Sequence, residues 1–199
     1  MNYGPVARWY QFLSKLIFGN TLVRAQHLAL SAVPENSHLL IAGGGDGEVL
    51  RHLPHPECPI DFVEISPEML RLAKQKNQKN VRWFQQDIFA FRPDKSYDVI
   101  LIAFLLDNFI PKEAKQLIAH LRHFLRKEGQ IIIVDYTETP SFPQKILLQA
   151  MYLFFRIVAN VQVKSLPPIE RIMQENGFRK TGTLRLYRGF IEVKHYHPR

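Results

Sequence analysis

Five short runs rich in branched and aromatic residues recur between residues 38 and 135, at 38–42, 60–64, 81–86, 97–103 and 130–135. YDVILIA and QIIIVD are apolar along nearly their whole length. A strand with one face in water alternates apolar and polar residues, so continuous runs mean strands covered on both faces. Helical stretches separate them. Ser66-Pro67-Glu68 opens one, with serine placed to cap and proline suited to the first helical position. Residues 111–126 form another, with Ala114, Leu117, Ile118, Leu121 and Leu125 on one face and Gly129 as its stop. A shorter helix is expected at 46–53. This alternation excludes all-α and all-β folds and predicts an open α/β sheet, doubly wound and mostly parallel. The tail differs. A helix at 168–176 is closed by Gly177. Alternating runs at 183–187 and 190–196 flank Arg188-Gly189, a hairpin that adds antiparallel strands at one edge.

At 199 residues the chain reads as a single domain, 1–199. Residues 1–33 form an N-terminal helical cover, with Trp9, Phe12, Leu13, Leu16 and Ile17 at helical spacing. Residues 140–166 form an apolar, lid-like insertion. Its core at 144–159, QKILLQAMYLFFRIVA, is apolar almost all round and too short to cross a bilayer. It reads either as a buried helix or as a lid facing a greasy substrate, a membrane surface or a second subunit. Peripheral membrane contact and a homodimer are therefore both open.

The single cysteine, Cys58, excludes a disulfide framework and a cysteine-based zinc site. Neither a secretory signal nor an apolar run of 18 residues is present, so a soluble, cytoplasmic protein is expected. The net charge of +8 favours anionic partners without choosing among them.

Gly43-Gly44-Gly45-Asp46-Gly47 follows the first strand, where ligands bind in such sheets. Its spacing is informative. A dinucleotide loop, G-x-G-x-x-G, needs a third glycine at position 48, which is Glu48. Here glycines fall at 43, 45 and 47, and Asp46 and Glu48 would repel a diphosphate. No Gly-Lys-Ser/Thr follows, which excludes a P-loop. Glu64 ends the second strand, where a carboxylate can accept both hydroxyls of a ribose. Asp87 and Ile88 follow the third strand, placed to accept from an adenine amino group and to pack on the ring.

With LLIAGGGDG, DFVEISPEML, WFQQDI, YDVILIAFLLDNF, LRKEGQIIIVDY and ENGF in this order, the chain resembles a class I S-adenosylmethionine-dependent methyltransferase over roughly residues 39–196. The resemblance implies a Rossmann-like fold and S-adenosylmethionine as cofactor. It also implies a binding set of Gly43, Gly45, Gly47, Glu64, Ile65, Asp87, Ile88 and Phe104. The family usually carries an acid two positions before the first glycine, and here that position is Ile41. Asp46 could supply an alternative carboxylate.

IAFLLDNF at 102–109 and, loosely, RWYQFLSKLIFG at 8–19 are similar to the ubiquinone/menaquinone C-methyltransferase group. Asp107 stands where that group usually has a basic residue. The resemblance implies methyl transfer to a small, hydrophobic acceptor. In-line displacement asks the protein chiefly to align reactants and exclude water. A base is needed only if the acceptor must lose a proton. Asp107 is the catalytic candidate, with Tyr136 and Glu138 as alternatives and Tyr10 within reach if the first helix closes. A nucleic-acid methyltransferase is disfavoured, because Ala103-Phe104-Leu105-Leu106 stands where amino-methyltransferases of adenine carry an Asn/Asp-Pro-Pro-aromatic motif. A degenerate cofactor-binding partner subunit is the other alternative. The histidines suggest no metal site.

Overall fold

The computed structural model describes residues 17–53, 55–138, 140–159 and 165–199. Strands β1 (Leu39–Ala42), β2 (Ile60–Glu64), β3 (Val81–Gln85), β4 (Tyr97–Ala103) and β5 (Leu125–Tyr136) pair in parallel. Strands β6 (Phe178–Leu186) and β7 (Ile191–Pro198) extend the sheet, with β7 antiparallel to both β5 and β6. The order is β3-β2-β1-β4-β5-β7-β6, the Rossmann-like mixed sheet expected.

Both faces of the central strands are buried, as their continuous apolar character requires. Leu39 and Ile41 join Phe62, Leu101, Ile132 and Val134 on one face. Leu40 and Ala42 join Val63, Ile100, Ile102 and Ile133 on the other. Each such aliphatic side chain stabilises the fold by about 1.5–3 kcal/mol relative to exposure. Helices α1 (Thr21–Leu30) and α2 (Pro67–Lys74) cover the first face through Ala25, Ala29, Leu70 and Ala73. Helix α3 (Pro111–Arg122) covers the second through Ala114, Leu117, Ile118 and Leu121, and α5 (Ile169–Glu175) joins it there.

Helix α4 (Phe142–Ala159) occupies the expected apolar insertion. Leu147, Leu148 and Met151 pack on the first-face core, while Phe142 and Ile146 are exposed. None of the described α4 side chains lines the cavity below the sheet edge, so this part of α4 covers the core rather than the site. Trp9, Tyr10 and Phe12 lie outside the described residues, as do residues 160–164 of the predicted lid. No described helix is long and apolar enough to cross a membrane.

Three local expectations are corrected. The helix at 111–126 ends at Arg122, and Gly129 is not its stop but lies within β5. There the register jumps, with Tyr97 opposite Leu125 and Val99 opposite Gln130. A Cβ on Gly129 would sit 2.9 Å from the Asp98 carbonyl oxygen, so the close approach of two backbones demands glycine. The helix at 46–53 contracts to a 3-10 turn, Glu48–His52. Left-handed Gly47 delays its start, and Leu53 is extended, as the residue before Pro54 should be. Both tail strands begin or end beyond their predicted limits, because edge pairing carries them past the alternating core.

Two buried charge clusters lock the sheet. Asp61, 1% exposed, accepts from Arg82 at 2.6 and 2.7 Å and from the Tyr97 hydroxyl at 2.5 Å. At the other side Lys194 is held between Glu192 at 2.9 Å and Glu138 at 3.0 Å. Glu138 also accepts the Glu170 N–H at the start of α5.

Candidate active site

The strand order reverses between β1 and β4. Connections from these neighbours run to opposite faces and leave a crevice at the strand carboxyl ends. The crevice is a cavity of about 460 Å³, within the range of small-molecule sites. Gly43, Gly45, Glu64, Ile65, Asp87, Ile88 and Phe104 all line it.

The loop after β1 is held by Glu64. Gly45, at φ +60°, donates its N–H to Glu64 Oε2 at 2.9 Å, and Ser66 donates to Oε1 at 2.8 Å. At positive φ only glycine turns here without strain, and the N–H then points at the carboxylate. Ser66 in turn caps α2, accepting from Met69 N–H, with Pro67 at the first helical position. One acid therefore joins the glycine loop to the turn after β2. Burial raises the Glu64 carboxyl above its ordinary range, against the pull of the Ser66, Gly45 and Ile65 N–H groups, and Asp46 pushes the same way. A carboxylate has about four acceptor sites, so two backbone bonds leave capacity for hydroxyls.

Gly47 differs from its neighbours. It does not line the cavity. A Cβ there would sit 2.8 Å from that of Ala73, so this glycine lets the 3-10 turn pack against α2.

On the β3 side Asp87 is exposed, and its Oδ1 accepts the Phe89 N–H at 2.9 Å. Ile88 is buried beneath it, and Ile65 at the mouth is 48% exposed. Two aliphatic side chains and a carboxylate converge there, a setting for a flat ring with an amino group. Across the crevice Phe104 sits at φ +50°, a strained conformation for a bulky residue. Its N–H donates to Val134 O at 2.8 Å, and its ring lies 5.5 Å from that of Tyr136. Leu105, Phe89 and Phe109 extend this apolar wall.

Asp107 lies in the 3-10 turn Leu106–Asn108 and faces the cavity. It does not cap α3, whose N-cap is Ile110; Glu113 accepts the Ile110 N–H instead. Asn108 Nδ2 donates to Asp107 Oδ1 at 2.8 Å. Burial pushes its carboxyl up to about 7, against a hydrogen bond from its own amide. Behind it Asp135, 2% exposed, accepts the Tyr136 N–H at 2.8 Å on Oδ1 and leaves Oδ2 without a partner. Burial and the nearby Asp107 charge push Asp135 well above its ordinary range, opposed by the Tyr136 and Asp107 amides and by Lys194.

Of the other proposed bases, Tyr136 lines the cavity, but Glu138 is committed to Lys194 and α5 and does not line it. Sequence reasoning missed Asp135, because a strand-end acid reads as an exposed one. It missed Gln26 too. That residue lines the cavity from α1, and its Oε1 is buried without a hydrogen-bond partner among the described residues. No local motif marks a polar residue on an otherwise core-facing helix. Met69, Asn108, Phe109 and Glu113 also reach the cavity without sequence signals.

Residues 40–131 match the sequence model of a family described as "Methyltransferase domain". The chain is 24% identical over 227 residues to a ubiquinone/menaquinone biosynthesis C-methyltransferase of Pseudoalteromonas translucida, a match covering 94% of this chain and 88% of that protein. It is 25% identical over 128 residues to a demethylmenaquinone methyltransferase of Tropheryma whipplei. That match takes in 63% of this chain and spans about half of the relative, 51% of its length. Among solved structures, 1,6-didemethyltoxoflavin-N1-methyltransferase of Burkholderia thailandensis, holding its namesake ligand and S-adenosylhomocysteine, aligns with a TM-score of 0.68. At 14% identity, covering 98% of this chain and 88% of that one, the likeness is one of fold.

Proposed function

We propose that this chain is an S-adenosylmethionine-dependent methyltransferase, a reading supported by the family match over residues 40–131, and that it transfers methyl to a small, apolar acceptor that gives up a proton to Asp107. The observation that carries this reading is Glu64. Its carboxylate faces the cavity at the end of β2, fastened to the glycine loop by the Gly45 N–H, with acceptor capacity left for a sugar diol.

When bound, S-adenosylmethionine supplies a methyl carbon on a positively charged sulfur, whose thioether is the leaving group. Glu64 holds the ribose hydroxyls. Asp87 accepts from the adenine amino group, and Ile65 and Ile88 pack against the ring. Residues 43–45 would border the rest of the cofactor, with the Gly43 and Gly44 N–H groups given to Val63 O and the Gly45 N–H to Glu64. Phe89, Phe104, Leu105, Phe109 and Tyr136 line the acceptor end and exclude water from it. Asp107 is the one acid in that apolar wall set near neutrality, the condition in which a carboxylate serves as a general base. The two quinone-related relatives make a quinol-sized ring the first acceptor to try.

Calorimetry with S-adenosylhomocysteine tests the cofactor half. The wild-type protein binds it, and Glu64→Ala weakens binding about tenfold or more, as loss of a charged acceptor should. Absence of binding to the wild-type chain would reject the reading. For the acceptor half, transfer of labelled methyl to a panel of quinols and phenols should fall steeply in Asp107→Asn while the cofactor affinity holds. Equal rates in the two proteins remove Asp107 from the chemistry.

A further inference from the structure

The amino-acid end of S-adenosylmethionine carries an ammonium group with three donors, which needs acceptors once it is enclosed. Strand β1 offers none. Ile41, two residues before Gly43, is 2% exposed and packs in the first-face core. Of the nearby acids, Glu64 accepts from Gly45 and Ser66, and Asp46, which lines the cavity, has its Oδ1 on the Glu48 N–H.

Gln26 has the opposite character. The residue lines the cavity, and its buried Oε1 has no hydrogen-bond partner among the described residues. A carbonyl oxygen buried in this way is unfavourable for the protein alone, and a ligand donor would satisfy it. Its position also fits. Helix α1 packs against β5, β7 and the 3-10 turn Glu48–His52. Glu64 and Asp87 come from β2 and β3, on the far side of the switch point. Gln26 therefore borders the cavity from the side of β5 and β7, opposite the strands that carry Glu64 and Asp87, where the amino-acid end of a ligand held by its sugar and ring would lie.

Resting on the cofactor reading above, we propose that Gln26 is the ammonium acceptor of this site, supplied by α1 in place of an acid on β1. The side chain discriminates a full S-adenosyl amino acid from a truncated nucleoside thioether.

Calorimetry with two probes tests this: S-adenosylhomocysteine, and 5′-methylthioadenosine, which ends before the amino acid. Gln26→Leu should weaken the first about tenfold, the usual size of a lost hydrogen bond to a charged group, and leave the second unchanged. Gln26→Glu, which restores an acceptor, should keep affinity for the first near the wild-type value. Equal losses for both probes in Gln26→Leu would mean a damaged cavity, and no loss for either would mean no contact; each overturns the proposal. So does a selective loss that appears in Asp46→Asn and not in Gln26→Leu. Failure of the wild-type protein to bind either probe strikes the cofactor reading itself, a result distinct from all of these.

Discussion

Replacing Asp135 by asparagine should change how stability depends on pH while leaving the fold intact. Asparagine copies the neutral acid in shape, and its side-chain oxygen can still accept the Tyr136 N–H now bound at 2.8 Å. The wild-type Asp135 keeps its proton well above the ordinary carboxylate range, and Asp107 keeps its own up to about 7. The sign follows from proton counting. Both pKa values are raised in the native state, so the native protein holds protons that the unfolded chain has released, and stability falls as pH rises. Between pH 7.5 and 8.5 Asp107 is mostly ionised, and Asp135, raised by burial and by the Asp107 charge, is the last of the pair to lose its proton. His120 and His195, both lowered, are neutral in that range, and Glu48 and Glu192, lowered by their cationic partners, are fully ionised. A proton that the native protein retains there is worth at most about 1.4 kcal/mol per pH unit. Asp135→Asn removes it. The wild-type protein should therefore lose stability with rising pH more steeply than the variant, by up to about 1.4 kcal/mol per unit, a relative Tm shift of up to roughly 3–6 °C for a chain of this size. Thermal unfolding by circular dichroism at half-unit steps measures both slopes. Parallel curves would refute the assignment of a retained proton to Asp135, as would a variant less stable at every pH.

Two further outcomes test the frame of the site. Arg82→Met strips Asp61 of its paired hydrogen bonds and leaves a buried acid with only Tyr97 and a distant Lys95; a loss of about 3 kcal/mol is expected in urea unfolding. A loss below about 1 kcal/mol would show that the tyrosine alone compensates. Gly44→Ala would place a Cβ 2.1 Å from the Phe62 ring, so it should lower stability by about 1–3 kcal/mol, and a second change, Phe62→Leu, should recover part of it. If the double variant is no better than the single one, the clash is not with that ring.

Much of the β1–β3 side of the cavity was legible in the chain because it is local. A strand, a glycine turn and an acid at the next strand end follow one another in sequence, and the parallel pairing of β1, β2 and β3 sets their ends side by side. Ser66-Pro67 announced α2 for the same reason: capping is settled within four residues. Gly47 shows the difficulty of the rest: glycine carries no record of why it is needed, a ligand or a neighbouring helix, and here Ala73 of α2 is close. Gly129 misled similarly, since its constraint is the Asp98 carbonyl on another strand.

The side formed by α1, β4 and β5 was less legible. Gln26, Phe104 and Tyr136 come from a helix and two strand ends separated by about thirty to eighty positions, and only the order β1-β4-β5 brings them to one wall. Hydrophobic periodicity and turn chemistry act over a few residues, so the sequence by itself determined the elements, their alternation and the covered sheet. Which side chains share a cavity depends on strand neighbours and on desolvation, both of them set by segments distant in the chain. For that reason the orphaned oxygen of Gln26 and the buried Asp107–Asp135 pair became visible only when the tertiary structure removed them from water.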